Sequence, residues 1–156
     1  MEEMPIVTRR RIEAGFAKGI FDEMTATLGE EAARAVLARA VVKMAHEVAG
    51  EMAARAPAGP SLEHFRSIQA LWRAEDALTI EEIPAPEGEF HFNVTRCRYA
   101  EMYHAMGLGE IGALLSCNRD GAFCEGYDPR LKLTRTQTIM QGAAYCDFRY
   151  RWGEGS

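Results

Sequence analysis

The chain has 156 residues, of which 47% are hydrophobic and 26% charged, and its formal net charge is -5 at pH 7. This length and composition are typical of a globular protein with one domain. The acidic balance argues against a general nucleic-acid partner, because phosphate binding requires a basic surface. The sequence also has no apolar run long enough to predict a membrane span.

The four cysteines are the residues with the widest range of chemistry in this sequence. The N-terminus begins with acidic residues and lacks the apolar stretch that a signal peptide contains, so it does not have the pattern of a secretory signal. An acidic chain without that signal is expected in the reducing cytoplasm, where disulfides are rare. There, thiols are more often catalytic, metal-binding or simply buried.

The first part of the chain, residues 1–77, is predicted to be helical. Apolar residues recur at helical spacing from Thr8, a candidate N-cap, to Leu28. The arginine triplet 9–11 is interpreted as a solvated helix start, because acidic residues follow it. The apolar positions predicted to face the core are Ile12, Phe16, Ile20, Phe21 and Met24.

Two more helices are predicted in this part. An amphipathic pattern covers residues 30–56, and the Pro/Gly-rich segment 56–60 then breaks the chain. Ser61 can cap a third helix that ends at Glu75 or Asp76. The apolar face predicted for the second helix contains Ala33, Val36, Leu37, Ala40, Val41, Met44, Val48 and Met52.

The second part, residues 78–152, has strand and turn patterns. Two strands flank a Pro/Gly turn near residues 84–88, and in the second of them Phe90, Phe92 and Val94 alternate with polar residues. Two short helical pieces follow. A loop rich in turn formers is expected next, and the last two β-type runs are predicted to form an antiparallel hairpin.

The predicted fold class is therefore α+β. A helical N-terminal half packs on a small antiparallel sheet with interspersed short helices. Either half alone would have a thin core, so residues 1–156 are expected to form a single domain.

Cys97 ends a predicted strand and begins a helix. At that position the helix dipole and the free backbone N–H groups would lower the pKa of its thiol and favour the thiolate. Glu101 and His104 follow at helical spacing and would share a face with Cys97. This set suits a nucleophile with a base, or part of a metal site. A structural role, with Cys97 buried and the other two residues at the surface, stays open.

A second constellation lies where the short helix is expected to run into the loop. Cys117 is followed by Asn118 and, three residues on, by Asp120. Asp120 can activate water or hold a substrate amine. The alternative is that Asn118 and Asp120 simply form a turn, which both residue types favour.

Cys146 and Asp147 are neighbours on the last predicted strand, so their side chains point to opposite faces. Cys146 aligns with the apolar residues, whereas Asp147 lies on the same face as Arg149. On the preceding run, Arg135 points toward an apolar side and requires an anionic partner. That partner is Asp147, Asp120 or a substrate carboxylate, which a guanidinium binds well.

Several spaced elements occur in a characteristic order in the second half: a Cys with an aromatic residue two positions on, an imperfect Leu-Gly-x-x-Glu, a Cys-x-x-Asp, an Arg-Thr-x-Thr and a terminal Cys-Asp-Phe-Arg-aromatic. In this order the chain resembles the L-2-amino-thiazoline-4-carboxylic acid hydrolase family. The matching residues are Cys97, Tyr99, Leu108, Gly109, Glu110, Cys117, Asp120, Arg135, Thr136, Thr138, Gly142, Cys146, Asp147, Phe148 and Arg149.

The resemblance implies hydrolysis of a C–N bond in a small cyclic amidine- or amide-like substrate, such as L-2-amino-thiazoline-4-carboxylate or a relative, without a cofactor. On this basis Cys117, or else Cys97, supplies a thiolate nucleophile. Asp120 or Asp147 positions water, and His104 is a candidate acid/base. In a second form of the mechanism a carboxylate activates water and no covalent intermediate forms. The expected substrate-binding residues are Arg135, Arg149, Asn118, Glu101 and Cys146.

Two other functions remain open at this point. A small-molecule sensor or binding module would use the same cleft, with structural cysteines. A metal-dependent hydrolase would use Cys and His ligands, although the sequence has no diagnostic ligand spacing. The long apolar helix faces also make a homo-oligomer reasonable.

Overall fold

The computed structural model describes residues 3–154, and its fold is α+β, as predicted. A four-stranded antiparallel sheet packs against two long N-terminal helices, with short helices inserted between its strands. Within residues 3–154 no helix combines the length and apolar character needed to cross a membrane. The helices are α1 (Ile6–Leu28), α2 (Glu30–Ala54), α3 (Leu62–Ile68), α4 (Ala70–Arg73), α5 (Arg98–Ala105) and α6 (Asn118–Tyr127), and the strands are β1 (Leu78–Ile83), β2 (Glu89–Cys97), β3 (Leu131–Thr134) and β4 (Cys146–Trp152).

The sheet has the order β1-β2-β4-β3, so β2 and β4 form its centre. Side chains alternate along a strand, and the predicted inward set of β2 is confirmed: Phe90, Phe92 and Val94 are all buried. Phe92 lies opposite Phe148 in the register, and their rings stack with centroids 4.9 Å apart. The helices pack on this aromatic inner face of the sheet.

The packing faces of α1 and α2 match the prediction in part: Ala33, Leu37 and Val41 are buried as predicted, whereas other positions differ. On α1 only Ala14 is buried, whereas Ile12, Phe16 and Ile20 are exposed. Of the predicted positions, Phe21 is half-buried and packs against the core, whereas Ile12, Phe16 and Ile20 face away from it. On α2 the buried residues recur at a spacing of four and are mostly alanines: Ala33, Leu37, Val41, Ala45, Ala49 and Ala53.

The predicted loop at residues 118–129 is wrong, because residues 118–127 form α6. Phe123 and Tyr127, one helical turn apart, are both buried, and this burial outweighs the turn-forming tendency of the polar residues at its start. The helix also packs closely on α2. A Cβ added at Gly126 would lie 2.6 Å from the His46 Cα, so only glycine fits that crossing.

Three boundaries also need correction. α1 begins at Ile6 after Pro5, so Thr8 lies inside the helix and not at its cap. Ser61 does cap α3, since its Oγ accepts a hydrogen bond of 3.0 Å from the His64 N–H, but this helix ends at Ile68 and a separate turn, α4, follows. β3 pairs with β4 as predicted but ends earlier than the predicted run.

Candidate active site

Two adjoining cavities, the two halves of the candidate site, lie between the inner face of the sheet and the helices. One half is aromatic and is lined by residues that include Phe65, Phe92 and Phe123, and the other is polar and contains three of the four cysteines. Each half has a volume of about 60 Å³, enough for roughly four water molecules. The residues that line both halves are Arg10, Trp72, Leu78, Arg119, Asp120 and Phe148.

Asp120 is the carboxylate that lines both halves of this cavity. It lies in the first turn of α6, directly after a π-helical segment, Ala113–Cys117, that precedes this helix. Wide π-type turns inside helices are frequent at functional sites. Burial raises the pKa of the Asp120 carboxyl above its usual value, and nearby arginines oppose that rise. A carboxylate with a raised pKa is a stronger base near neutral pH.

Arg135 holds Asp120 in place. Its Nη1 donates a hydrogen bond of 2.6 Å to the Asp120 Oδ2, and its Nη2 donates one of 3.1 Å to the carbonyl of Cys117. Burial alone would lower the pKa of Arg135, but the Asp120 carboxylate raises it above the ordinary value, so the guanidinium stays charged. The predicted need of Arg135 for an anionic partner is thus met by Asp120.

A second ionic group lies at the same cavity. Arg10 and Arg119, whose side chains are only 12% and 13% exposed, both pair with Glu13 Oε2, at 3.1 and 3.3 Å. Together with the Asp120–Arg135 pair, three guanidinium groups face two carboxylates. One positive charge is therefore uncompensated, and the cavity favours an anionic ligand.

Arg10 and Arg119 were not among the residues predicted for the site. The interpretation of the arginine triplet as solvated is wrong for Arg10, which points inward. A signal for this was available, because Arg10 precedes the buried Ala14 by four residues and therefore lies on the same face of α1. Arg119 shows no comparable signal, since the turn-forming residues of its segment predict a loop.

The polar half is lined by the thiols of Cys97, Cys117 and Cys146. Cys97 does occupy the N-cap of α5, as predicted, but the expected fall of its pKa is wrong: burial raises that pKa to about 11. Burial and the nearby Asp120 raise the pKa of Cys117 to about 12. Desolvation disfavours the charged form of an acid more than one helix end favours it. Both thiols are neutral at physiological pH.

Glu101 and His104 do not reach the cavity. Both are exposed, and Glu101 pairs with Arg96 at 2.9 Å on the surface. The expected common face with Cys97 does not form, because the Cys97 thiol turns inward to the cavity. Their proposed roles in proton transfer and substrate binding stay predictions without a geometric link to Asp120.

Asp147, Arg149 and Asn118 also lie outside the residues that line the cavity. Asp147 is on the outer face of the sheet, where its carboxylate accepts hydrogen bonds from the backbone N–H groups of Thr136 and Gln137, at 2.9 and 3.0 Å. These hydrogen bonds hold the segment that follows β3, which is no longer part of the sheet. Asn118 donates to the Ala38 carbonyl at 3.4 Å. Cys146, in contrast, faces inward as predicted.

The donor groups of the cavity, three thiols and the Asp120 carboxylate, are of types that can bind metal ions. In the part of the chain from residue 3 to residue 154, no three His, Cys, Asp or Glu side chains converge as a bound metal ion would require.

The comparisons with known proteins agree with the sequence pattern. The profile of the L-2-amino-thiazoline-4-carboxylic acid hydrolase family matches residues 9–150. The chain belongs to this family. A comparison with curated proteins finds no match.

A solved structure shares the fold. It is the crystal structure of the phenol-responsive sensory domain of the transcription activator PoxR with phenol, with a TM-score of 0.53 and 13% sequence identity. The similarity covers 88% of this chain and 73% of that one. The same architecture thus occurs in a domain that responds to a small aromatic compound.

Proposed function

We propose that this protein hydrolyses a C–N bond in a small cyclic amidine or amide that carries a carboxylate, with Asp120 as the base that activates water. The observation that carries the proposal is the position of Asp120. It is a carboxylate at the junction of an aromatic and a polar half-cavity, held by Arg135 and with a raised pKa. The family name supports the reaction class.

In the proposed reaction the Asp120 carboxylate accepts a proton from a water molecule in the cavity. The water oxygen forms a bond to the electrophilic carbon of the substrate ring, the C=N electron pair moves to the ring nitrogen, and this nitrogen takes the proton held by Asp120. The ionised Asp120 then accepts the proton of the new C–OH group. The ring C–N bond breaks as the carbon becomes a carbonyl, and Asp120 passes this second proton to the departing nitrogen and returns to its ionised form. In a cyclic amide one proton passes to the nitrogen, and the attacked carbon becomes a carboxyl group.

Arg10 and Arg119 are the proposed anchors of the substrate carboxylate. They share a single carboxylate partner, Glu13, so their guanidinium groups keep free N–H donors. This proposal replaces Arg149 as the anchor, since that residue lies on the other side of the sheet.

The raised pKa values of Cys97 and Cys117 favour water activation over a thiolate nucleophile. A thiol with a pKa of about 12 is almost entirely protonated at neutral pH. In this proposal both thiols are neutral wall residues beside the water-activating carboxylate. Their replacement by serine should preserve measurable turnover, whereas a covalent mechanism would lose it.

The test is a ring-opening assay with L-2-amino-thiazoline-4-carboxylate, its analogue without the carboxylate, and small cyclic imides and lactams. We expect Asp120→Asn to lower kcat by about 100-fold to 10,000-fold, the usual effect of losing a general base. Asp128→Asn is the matched control, because Asp128 also pairs with an arginine, Arg130, but does not line the cavity. Full activity of Asp120→Asn on a confirmed substrate would contradict the assignment.

A second candidate function is ligand sensing without turnover. Its support is the structural similarity to the phenol-responsive domain and the aromatic half of the cavity. Calorimetry with the same compounds distinguishes the two. Stoichiometric binding of an unchanged ligand, with no product after prolonged incubation, would favour a sensor.

A further inference from the structure

The outward face of α1 carries an apolar strip that no part of residues 3–154 covers. Ile12, Phe16 and Ile20 follow one another at a spacing of four, and they are 59%, 75% and 46% exposed. Gly15 and Gly19 flank this strip, and a Cβ added at either would meet no atom within 4 Å. Packing within the described chain therefore does not require these glycines, although glycine is less favourable than alanine inside a helix.

The strip is symmetric about Phe16 in both shape and charge. Ile12 lies four residues before it and Ile20 four residues after it. Arg9 lies seven residues before it and Glu23 seven residues after it, on the same side of the helix. If a second α1 helix runs in the opposite direction and is centred on Phe16, its apolar residues therefore face the apolar residues of the first helix, and its basic residue faces the acidic residue of the first.

We propose that two copies of this chain associate through their α1 helices, packed antiparallel about a two-fold axis at Phe16. Phe16 then contacts Phe16 of the second copy, and Ile12 contacts Ile20 of the second copy. Arg9 faces Glu23 of the second copy at both ends. Among residues 3–154 Arg9 has only a surface contact with Glu3, at 3.9 Å, so it is available for this pairing. The interface is isologous, as in most homodimers.

The size of the strip sets the expected affinity. α1 has 23 residues, so its outward face is about 34 Å long and about 10 Å wide. The area of this face is less than the roughly 800 Å² that each partner buries in a standard stable interface. We therefore expect a dimer that dissociates on dilution through the micromolar range.

The first experiment is sedimentation equilibrium of the full chain across that concentration range. We expect a reversible monomer–dimer equilibrium, and we expect Phe16→Glu to weaken the association by about 100-fold or more, as for a central aromatic contact. The Phe16 side chain is exposed, so this change should not unfold the monomer. The control is Leu71→Glu, which also replaces an exposed apolar residue, 39% exposed, but on α4. A wild-type chain that stays monomeric, or a Phe16→Glu variant that still forms dimers, would overturn the proposal.

The second experiment tests the antiparallel register. Arg9→Glu and Glu23→Arg should each weaken association, and the double variant should restore it, because both contacts are then reversed together. On oxidation Phe16→Cys should form a disulfide-linked dimer, whereas Ile12→Cys should not, since it faces Ile20 of the second copy. Efficient cross-linking through Ile12→Cys, or no restoration by the double variant, would contradict this register.

Discussion

The two faces of the central sheet strands use the same residue types for different purposes. On the outer face, Asp147 accepts hydrogen bonds from Thr136 and Gln137, and Arg149 donates to Asn93 at 2.9 Å and to nearby carbonyls. On the inner side, Asp120 is paired with an arginine but also lines a cavity. The outer groups are satisfied by their neighbours, whereas the inner groups keep one positive charge in excess.

The surroundings of Asp147 and Asp120 distinguish a structural carboxylate from one that is available for chemistry. Local hydrogen bonds lower the pKa of Asp147, although burial alone would raise it, so its charge is used to shape the chain. Burial raises the pKa of Asp120, so its proton affinity is available for chemistry. The family pattern includes both residues, and only their surroundings distinguish them.

The reactivity of the thiols that line the polar half of the cavity measures how well the cavity excludes water. We expect the largest effect of all for these thiols. With pKa values of about 11 and 12, Cys97 and Cys117 should react with iodoacetamide at pH 7.5 at least about 100-fold more slowly than an unperturbed thiol of pKa about 8.5. Mass spectrometry of the native protein, with the urea-unfolded chain as control, measures this. If either thiol reacted as fast as it does in the unfolded chain, water would have free access to this part of the cavity.

Replacing the inner arginine should cost more than replacing the outer one. Arg135→Gln leaves the partly buried Asp120 carboxylate without its partner, so we expect a loss of about 3 kcal/mol in the free energy of unfolding. Arg149→Gln removes only exposed or partly exposed contacts and should cost about 1 kcal/mol. Urea unfolding at pH 7 compares the two variants.

The same Arg135→Gln variant has a predicted effect on pH dependence. Loss of the guanidinium removes a charge that stabilises the Asp120 carboxylate, so its pKa should rise further. On the acid side of the pH profile of kcat/KM, activity falls as Asp120 becomes protonated. This fall should therefore move to higher pH in the variant. An unchanged acid limb would show that another group controls it.

The smallest effect is expected for Asp147→Asn. Its hydrogen bonds to Thr136 and Gln137 are partly exposed, so we expect a loss of about 1 kcal/mol at pH 7. Because the pKa of Asp147 is lower in the folded protein, its contribution is present above the unfolded pKa of about 3.9 and is lost as the pH falls through the folded value. Thermal unfolding of both proteins should therefore differ at pH 7 and converge in strong acid.

Much of the sheet could be predicted from local patterns. The alternation in β2 and the aromatic run of β4 show which side chains are buried, and the inward Cys146 and outward Asp147 follow from strand geometry alone. Helix α6 could not be predicted in the same way. Its first residues favour turns, and only the tertiary burial of Phe123 and Tyr127 on the sheet makes the helix stable.

The candidate site was only partly predictable for a related reason. Sequence order placed Cys117, Asp120 and Arg135 close together, because they belong to neighbouring elements of one pattern. Arg10 lies more than 100 residues away from Asp120 along the chain, and nothing local shows that α1 crosses the cavity. The pKa of Cys97 was predicted with the wrong sign because a helix end is visible in sequence, whereas burial is not.

The position of Trp72 gives the protein an internal optical reporter. Of the two tryptophans, Trp72 lies in the wall of both half-cavities, in edge contact with Phe123 at 5.2 Å between ring centroids. Trp152 lies at the end of the sheet, where Arg130 covers its ring at 4.7 Å. Indole emission depends on the polarity around the ring, so a ligand that displaces water from this cavity changes the Trp72 signal. In a Trp152→Phe background, the emission spectrum then follows occupancy of the cavity without any added label.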